Sequence, residues 1–293
     1  MISKINKVVN KRLRKFYFQR MFSKNKKREQ IAKRQGARNG QRTFEGNSVL
    51  KNDPNELEVN TLGFTKLGVV LDEFQVESII NSLKIYKCFD GYRPELGEFL
   101  SDAIPEETQV ANYKREDLVS IKEIMEIAND PKILSFVQKF LYGKPTISNI
   151  NAWWSLGGRK SAQHAQLFHR DVDDYKFIKF FIYLTDVGME NGPHVYVETS
   201  AYDDNFKKIR RFSDIEIESF YGKEKINHVT GGKGEAYFVN TYGIHKGLLP
   251  KEGRRLILQI QYSINEVGVE TYNPIKVENG GEYDKYINRL LIK

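Results

Sequence analysis

Residues 166–200 read QLFHRDVDDYKFIKFFIYLTDVGMENGPHVYVETS, and this stretch decides the fold. Lys176–Asp186 and His194–Glu198 are short runs of β-branched and aromatic residues, bounded by Asp, Asn, Gly and Pro. That composition predicts strands joined by turns. The same pattern continues outward, in Thr146–Ser155 before the stretch and in Gly234–Asn240 and Arg255–Ser263 after it. Further toward the N-terminus the period changes. Phe64–Leu71 (FTKLGVVL) predicts one more strand, and Asp72–Lys84 predicts a helix with Phe74, Ile79, Ile80 and Leu83 inward. A second helix is expected over Arg115–Ala128. A third is opened by Asp130-Pro131, runs to Leu141 and stops before Gly143-Lys-Pro145. Helices first and many short strands after predict a mainly β domain, a sandwich or barrel with helices on one outer face. No internal repeat is present.

The chain has 293 residues, enough for one large domain with extensions and too few for two generous ones. With 40% hydrophobic residues the bulk is expected to be globular, and no apolar run is long enough to suggest a spanning helix. The N-terminus lacks the apolar core and cleavage site of a secretory signal. Cys88 is the single cysteine, so no internal disulfide forms, and a reducing, cytoplasmic location is expected.

The net charge of +8 divides unevenly. Residues 1–44 hold fifteen Lys and Arg against Glu29 alone, about +14, so the rest of the chain carries about −6. A mildly acidic body is a poor partner for nucleic acid, whose binding depends on phosphate neutralisation by Lys and Arg. Residues 1–22 predict a basic amphipathic helix with Ile5, Val8, Val9, Leu13, Phe16 and Tyr17 on one side. Such a helix suits peripheral contact with an anionic membrane, or else forms a solvated extension. Residues 23–55 carry no hydrophobic period and read as a linker. The expected division is therefore 1–55, basic helix and linker, and 56–293, the functional domain.

Two histidines stand in suggestive settings. In extended chain residues i and i+2 face the same side, so His169 and Asp171 offer adjacent metal ligands. His245 follows the apolar strand Glu235–Val239, and Arg255 opens a strongly alternating strand ten residues later. His-x-Asp with a distant His is the donor set of the two-histidine, one-carboxylate triad, which leaves metal positions open. An Arg near the third ligand suits a carboxylate, which a guanidinium pairs bidentately.

Three blocks together resemble the phytanoyl-CoA dioxygenase superfamily of iron(II)- and 2-oxoglutarate-dependent oxygenases. They are residues 64–84 (FTKLGVVLDEFQVESIINSLK), 166–200, and 234–263 (GEAYFVNTYGIHKGLLPKEGRRLILQIQYS). The resemblance spans roughly residues 60–265 and implies a double-stranded β-helix, the cupin-like jelly roll. It implies His169, Asp171 and His245 as iron ligands, Arg255 rather than Arg254 as the 2-oxoglutarate anchor, and Gln166 near the site. It also implies oxidative decarboxylation of 2-oxoglutarate to succinate with hydroxylation of a small-molecule, lipid or glycan-precursor substrate, using O2. The presence of Asp171 favours hydroxylation over halogenation. Departures occur at Glu198-Thr-Ser-Ala201, where Pro-Gly-Ser-His is frequent, at Gly247, where a hydroxyl residue is frequent, and at Phe168, where Trp is frequent.

The alternative is a non-catalytic jelly roll that binds metal or ligand. His164, His194 and His228 are expected to be structural. The run Lys207-Lys-Ile-Arg-Arg211 is expected either to bind a phosphate or CoA-type anion or to form a solvated helical face. Trp153 and Trp154 alternate along a strand, so one faces the core and the other the pocket. Substrate identity and oligomeric state are not written in the sequence.

Overall fold

The computed structural model describes residues 13–293. The N-terminal part of the expected basic helix, with Ile5, Val8 and Val9, lies outside the described residues. Helix α1 is described over 13–20, followed by α2 (Asn25–Arg38) and α3 (Glu56–Thr61). Strand β1 (Phe64–Val69) leads into α4 (Glu73–Lys84), whose Asp72 N-cap forms a reciprocal capping box with Gln75. Three short strands follow, β2 (Cys88–Phe89), β3 (Glu98–Phe99) and β4 (Val110–Tyr113), then helices α5 (Arg115–Ser120), α6 (Lys122–Ala128) and α7 (Pro131–Leu141). The remainder is β5 (Thr146–Leu156), β6 (Phe177–Tyr183), β7 (His194–Val197), α8 (Asp214–Tyr221), β8 (Ile226–Val229), β9 (Glu235–Val239), β10 (His245–Gly247) and β11 (Arg254–Ser263).

The strands form an antiparallel eight-stranded sheet, β1-β9-β6-β11-β5-β4-β2-β3, and a smaller sheet, β10-β7-β8. An isolated bridge between His169 and His245 adds the segment around His169 to the free edge of β10. The pleat of the large sheet sorts its residues. On β11, Leu256, Leu258, Ile260 and Tyr262 join the core with α4, α6 and α7. The intervening Arg255, Ile257 and Gln259 face a cavity on the other side. Strand β6 repeats the division, with Ile178, Phe180 and Ile182 toward the helices and Lys179 and Phe181 toward the cavity. Helix α7 buries Ile133, Leu134, Phe136, Val137, Phe140 and Leu141, each contributing about 1.5–3 kcal/mol before conformational entropy is charged against it. Two facing sheets with helices on one outer side constitute the expected jelly roll.

Three expectations are corrected. Residues 23–55 are not a linker throughout, because α2 is helical and buries Arg28, Ala32 and Gly36. Gly36 meets the end of α7 so closely that an added Cβ would lie 2.2 Å from the Leu141 carbonyl oxygen. Arg115–Ala128 is broken at Ile121, whose ψ of 114° is extended, into two short helices. Phe74 is exposed, and Val76 takes the inward position on α4. Among the described residues no helix is long and apolar enough to cross a membrane.

Candidate metal centre and its cavity

The backbone builds the site before any side chain is considered. His169 and His245 are cross-strand partners, each N–H donating to the other's carbonyl at 2.9 Å, and the Asp171 N–H donates to the Thr241 carbonyl at 3.0 Å. Two segments at least seventy residues apart in sequence are thus held in one register, with His169 and Asp171 on the same side. The His169 Nε2–Asp171 Oδ1 distance is 3.6 Å and the His245 Nε2–Asp171 Oδ2 distance is 3.4 Å. All three potential ligand atoms lie within 4.8 Å of one another.

Each imidazole is oriented from behind. His169 Nδ1 lies 2.9 Å from the Leu167 carbonyl and His245 Nδ1 lies 2.9 Å from the Gly243 carbonyl. A carbonyl only accepts, so both Nδ1 atoms carry the proton, and both Nε2 lone pairs are left for a ligand. Burial, then the neighbouring His245, pushes the His169 pKa down to about 3, so this ring is neutral at ordinary pH. Burial alone would raise Asp171, but the Lys179 ammonium and the two imidazoles override it and hold the carboxyl well below its usual range. Two imidazole nitrogens and one carboxylate, bordering an open space, are donors that fit a divalent first-row ion such as iron(II).

Lys179, on the cavity face of β6, donates to Asp171 Oδ2 at 2.7 Å and lies 3.8 Å from Asp173. Sequence reading passed over it. The only available signal was a lone cation inside the apolar run FIKFFIY.

The cavity has a volume of about 730 Å³ and is bordered by His169, Asp171 and His245 together with Arg255, Trp153 and Gln166. Arg255 is 4% exposed. Its guanidinium donates to the Gly192 carbonyl and, at 3.0 Å, to Ser155 Oγ, while its Nε has no partner among the described residues. Among the described residues no carboxylate lies within ion-pairing distance of it. Arg254 points the other way, donating to the Ser101 carbonyl and stacking over Trp154 at 4.3 Å. Trp154 is in the core and Trp153 lines the cavity, which settles their alternation. Gln166 is buried, and its Oε1 accepts from Gln109 Nε2 at 2.6 Å and from the Gln163 N–H at 3.0 Å.

His194 is a buried residue of β7. It borders the cavity, its ring stacks on that of His245 with centroids 5.5 Å apart, and its Nε2 has no partner among the described residues. Burial, then the proximity of His245 and Arg255, holds it well below the usual imidazole range. His164 stacks flat on Tyr92 at 3.5 Å and also borders the cavity, whereas His228 is exposed on β8. The Lys207–Arg211 run is irregular rather than helical. Lys207 is tied to Asn25 Oδ1 at 3.0 Å and Tyr242 Oη at 3.3 Å, and burial followed by the charge of Arg170 lowers its pKa to about 8.

The N-terminal helices brace the segments that carry His169, Asp171 and His245. Gln19 Nε2 donates to the Val172 carbonyl at 2.9 Å, one residue after Asp171. Buried Arg28 donates to the Asp174 carbonyl and lies 4.3 Å over the Tyr242 ring, three residues before His245. Arg170, between His169 and Asp171, ties Tyr242 to Ser200 through their carbonyls.

Gly243 holds His245 through its carbonyl and leaves no room for a side chain. An added Cβ would sit 2.0 Å from Tyr196 Oη, and Tyr196 is fully buried with its hydroxyl donating to the Asn240 carbonyl at 3.0 Å. Gly243→Ala is expected to cost about 1–3 kcal/mol of stability in urea denaturation and to weaken metal retention, because relief requires moving the segment that aims His245. Unchanged stability and retention would show that the segment yields freely.

No protein-family model matches the sequence, and no curated protein matches it. Solved structures do. SnoK, a non-heme alpha-ketoglutarate-dependent carbocyclase from nogalamycin biosynthesis, aligns at 15% identity over 74% of this chain and 86% of its own, with a TM-score of 0.52. HygX from Streptomyces hygroscopicus, with nickel, 2-oxoglutarate and hygromycin B bound, aligns at 18% identity over 76% and 90%, with a TM-score of 0.50. The epimerase SnoN, in complex with Fe3+, alpha-ketoglutarate and nogalamycin RO, aligns at 14% identity over 75% and 91%, with a TM-score of 0.52. What the chain shares with them is the fold.

Proposed function

We propose that this chain is an iron(II)- and 2-oxoglutarate-dependent dioxygenase, related to the phytanoyl-CoA dioxygenase superfamily, that hydroxylates a small-molecule substrate. The observation that carries the reading is the pairing of two features in one cavity. One is a His-Asp-His donor set, and the other is a buried guanidinium with no carboxylate partner among the described residues. A buried cation without an anion is costly, and a dicarboxylate cosubstrate supplies the missing charge. Jelly rolls of this shape that hold nickel or iron with 2-oxoglutarate support the reading.

Bound iron would supply one-electron chemistry with O2 that side chains do not possess. The protein's part follows from its own groups. His169, Asp171 and His245 hold the ion on one side, and the Leu167 and Gly243 carbonyls fix the imidazole tautomers. Lys179 keeps Asp171 ionised and aimed. Arg255 receives the far carboxylate of 2-oxoglutarate, and its bonds to Gly192 and Ser155 keep the guanidinium from turning away. His194, lying beside both His245 and Arg255, offers the cosubstrate a further hydrogen-bonding group. The test is equilibrium binding of 2-oxoglutarate without O2. Affinity is expected to rise at least about tenfold when iron(II) is present, because metal and Arg255 then act together. Equal affinity with and without metal would refute the shared site.

A second property rests on a separate observation. Tyr17, Phe18 and Met21 are 60%, 55% and 75% exposed beside exposed Arg14 and Lys15. Aromatic and apolar side chains next to cations suit an anionic bilayer surface. The full chain is expected to sediment with phosphatidylserine-containing vesicles and not with phosphatidylcholine alone, and a Tyr17→Ser, Phe18→Ser, Met21→Ser variant is expected to lose that binding. Equal sedimentation of both proteins would dismiss the membrane reading.

A further inference from the structure

We infer that the cavity takes a neutral, hydroxyl-rich substrate, a sugar or cyclitol ring, rather than an acyl chain or a phosphorylated carrier. The inference rests on the dioxygenase reading of the same site and concerns the wall away from the metal ligands.

That wall is made by β4, β5 and β11. The cavity faces of these strands present Asn112, Asn151 and Gln259. Their positions are contiguous. Asn151 is the register partner of Gln259, Asn112 is the partner of Trp153, and Trp153 follows Asn151 by two residues on the same face. Three carboxamides and an indole therefore form one surface. Among the described residues Asn112 and Asn151 make no side-chain hydrogen bond to protein, and Gln259, 5% exposed, has a buried Nε2 with no partner.

Gln259 Nε2 is a buried donor without a partner, which costs about 1–3 kcal/mol, and the half-buried Asn112 and Asn151 add free carboxamides beside it, a standing demand for a ligand that can satisfy both N–H and C=O groups. A hydroxyl both donates and accepts and so answers that demand. A hydrocarbon chain would seal the amides from water with nothing in return.

Charge narrows the class further. The cations at the mouth are already matched: Arg93 with Asp90 at 3.5 Å, Arg115 with Glu270, and Lys114 with Glu98. Deeper in, Lys179 is held by Asp171. Arg255, the remaining guanidinium on the cavity wall among the described residues, is the one assigned to the cosubstrate. A phosphate or CoA group would find no unmatched cation there. Flat apolar surfaces complete the wall, with Trp153 half-buried inside and Tyr92 stacked on His164 at the mouth. The C–H face of a sugar ring packs on such surfaces while its hydroxyls meet the amides.

The test uses the full chain with zinc(II) as a redox-silent stand-in for iron, and 2-oxoglutarate. Saturation-transfer NMR is recorded with methyl α-glucopyranoside, methyl α-mannopyranoside and maltose, and separately with dodecanoate and decanoyl-CoA. Transfer to at least one glycoside is expected, and none to the acyl probes. Asn112→Leu and Asn151→Leu are each expected to weaken glycoside binding about tenfold, the worth of one hydrogen-bonding group, while 2-oxoglutarate still binds the zinc-loaded variants. Glycosides that fail to bind while 2-oxoglutarate binds, acyl probes that bind instead, or variants that bind glycoside as well as wild type would each overturn the substrate class alone. Failure of 2-oxoglutarate to bind the zinc-loaded wild type would overturn the reading of the centre, and this inference with it.

Discussion

Replacing His169 with Ala is expected to abolish iron binding in the micromolar range and, with it, all 2-oxoglutarate turnover. Loss of an outer-shell partner of a metal ligand typically costs 10–100-fold in affinity, and loss of a ligand costs more, so a fall beyond about 100-fold is expected. The variant is informative because it leaves the Lys179–Asp171 ion pair intact. Its backbone bonds to His245 do not use the side chain either. The fold should therefore persist, with a stability loss of about 1–3 kcal/mol. Asp171→Ala is expected to lose metal equally but to destabilise more, since Lys179 is left buried with Asp173 alone at 3.8 Å. Iron content by mass spectrometry and succinate release check both variants. A folded His169→Ala protein that binds iron and turns over normally would remove His169 from the centre.

Arg255→Ala is expected to raise the 2-oxoglutarate concentration needed for half-saturation by about 30-fold or more, while iron affinity stays within about twofold. Truncating one partner of a buried, hydrogen-bonded charge pair costs about 2–5 kcal/mol, which sets the first figure. The second follows from geometry, because the hydrogen-bond partners of Arg255 are Gly192 and Ser155 and none of the three ligands. Arg255→Lys is expected to recover only part of the loss, since an ammonium restores charge but not the fork. Titration of 2-oxoglutarate into the iron-loaded protein measures both. An unshifted curve would leave the guanidinium without a role.

The sequence was most legible where one residue property fixed one structural outcome. Alternation on Arg254–Ser263 separated a core face from a cavity face, and the same rule put His169 and Asp171 on one side. Asp72 and Asp130 marked helix starts because their carboxylates cap orphan N–H groups. Legibility failed where burial did not use apolar residues. Helix α2 docks through Ala32, Gly36 and the charged Arg28, so a search for hydrophobic period saw only a polar tract. Phe74 fitted the helical period as well as Val76 did, and only packing against the sheet decides between them. Lys179 and His194 acquire their importance from neighbours distant in sequence, Asp171 for one, His245 and Arg255 for the other. Local pattern carries no trace of such pairings. The bracing of the site by Gln19 and Arg28 was hidden for the same reason.

The proposed centre is one ion held by His169, Asp171 and His245, with room left for a chelating cosubstrate that Arg255 receives. Visible absorption without O2 measures this directly. Iron(II) and 2-oxoglutarate together are expected to give a weak, broad band that neither gives alone, that His245→Ala removes and that Arg255→Ala restores only at higher 2-oxoglutarate. A protein shown to carry one iron per chain, yet giving no band at saturating 2-oxoglutarate, would contradict it.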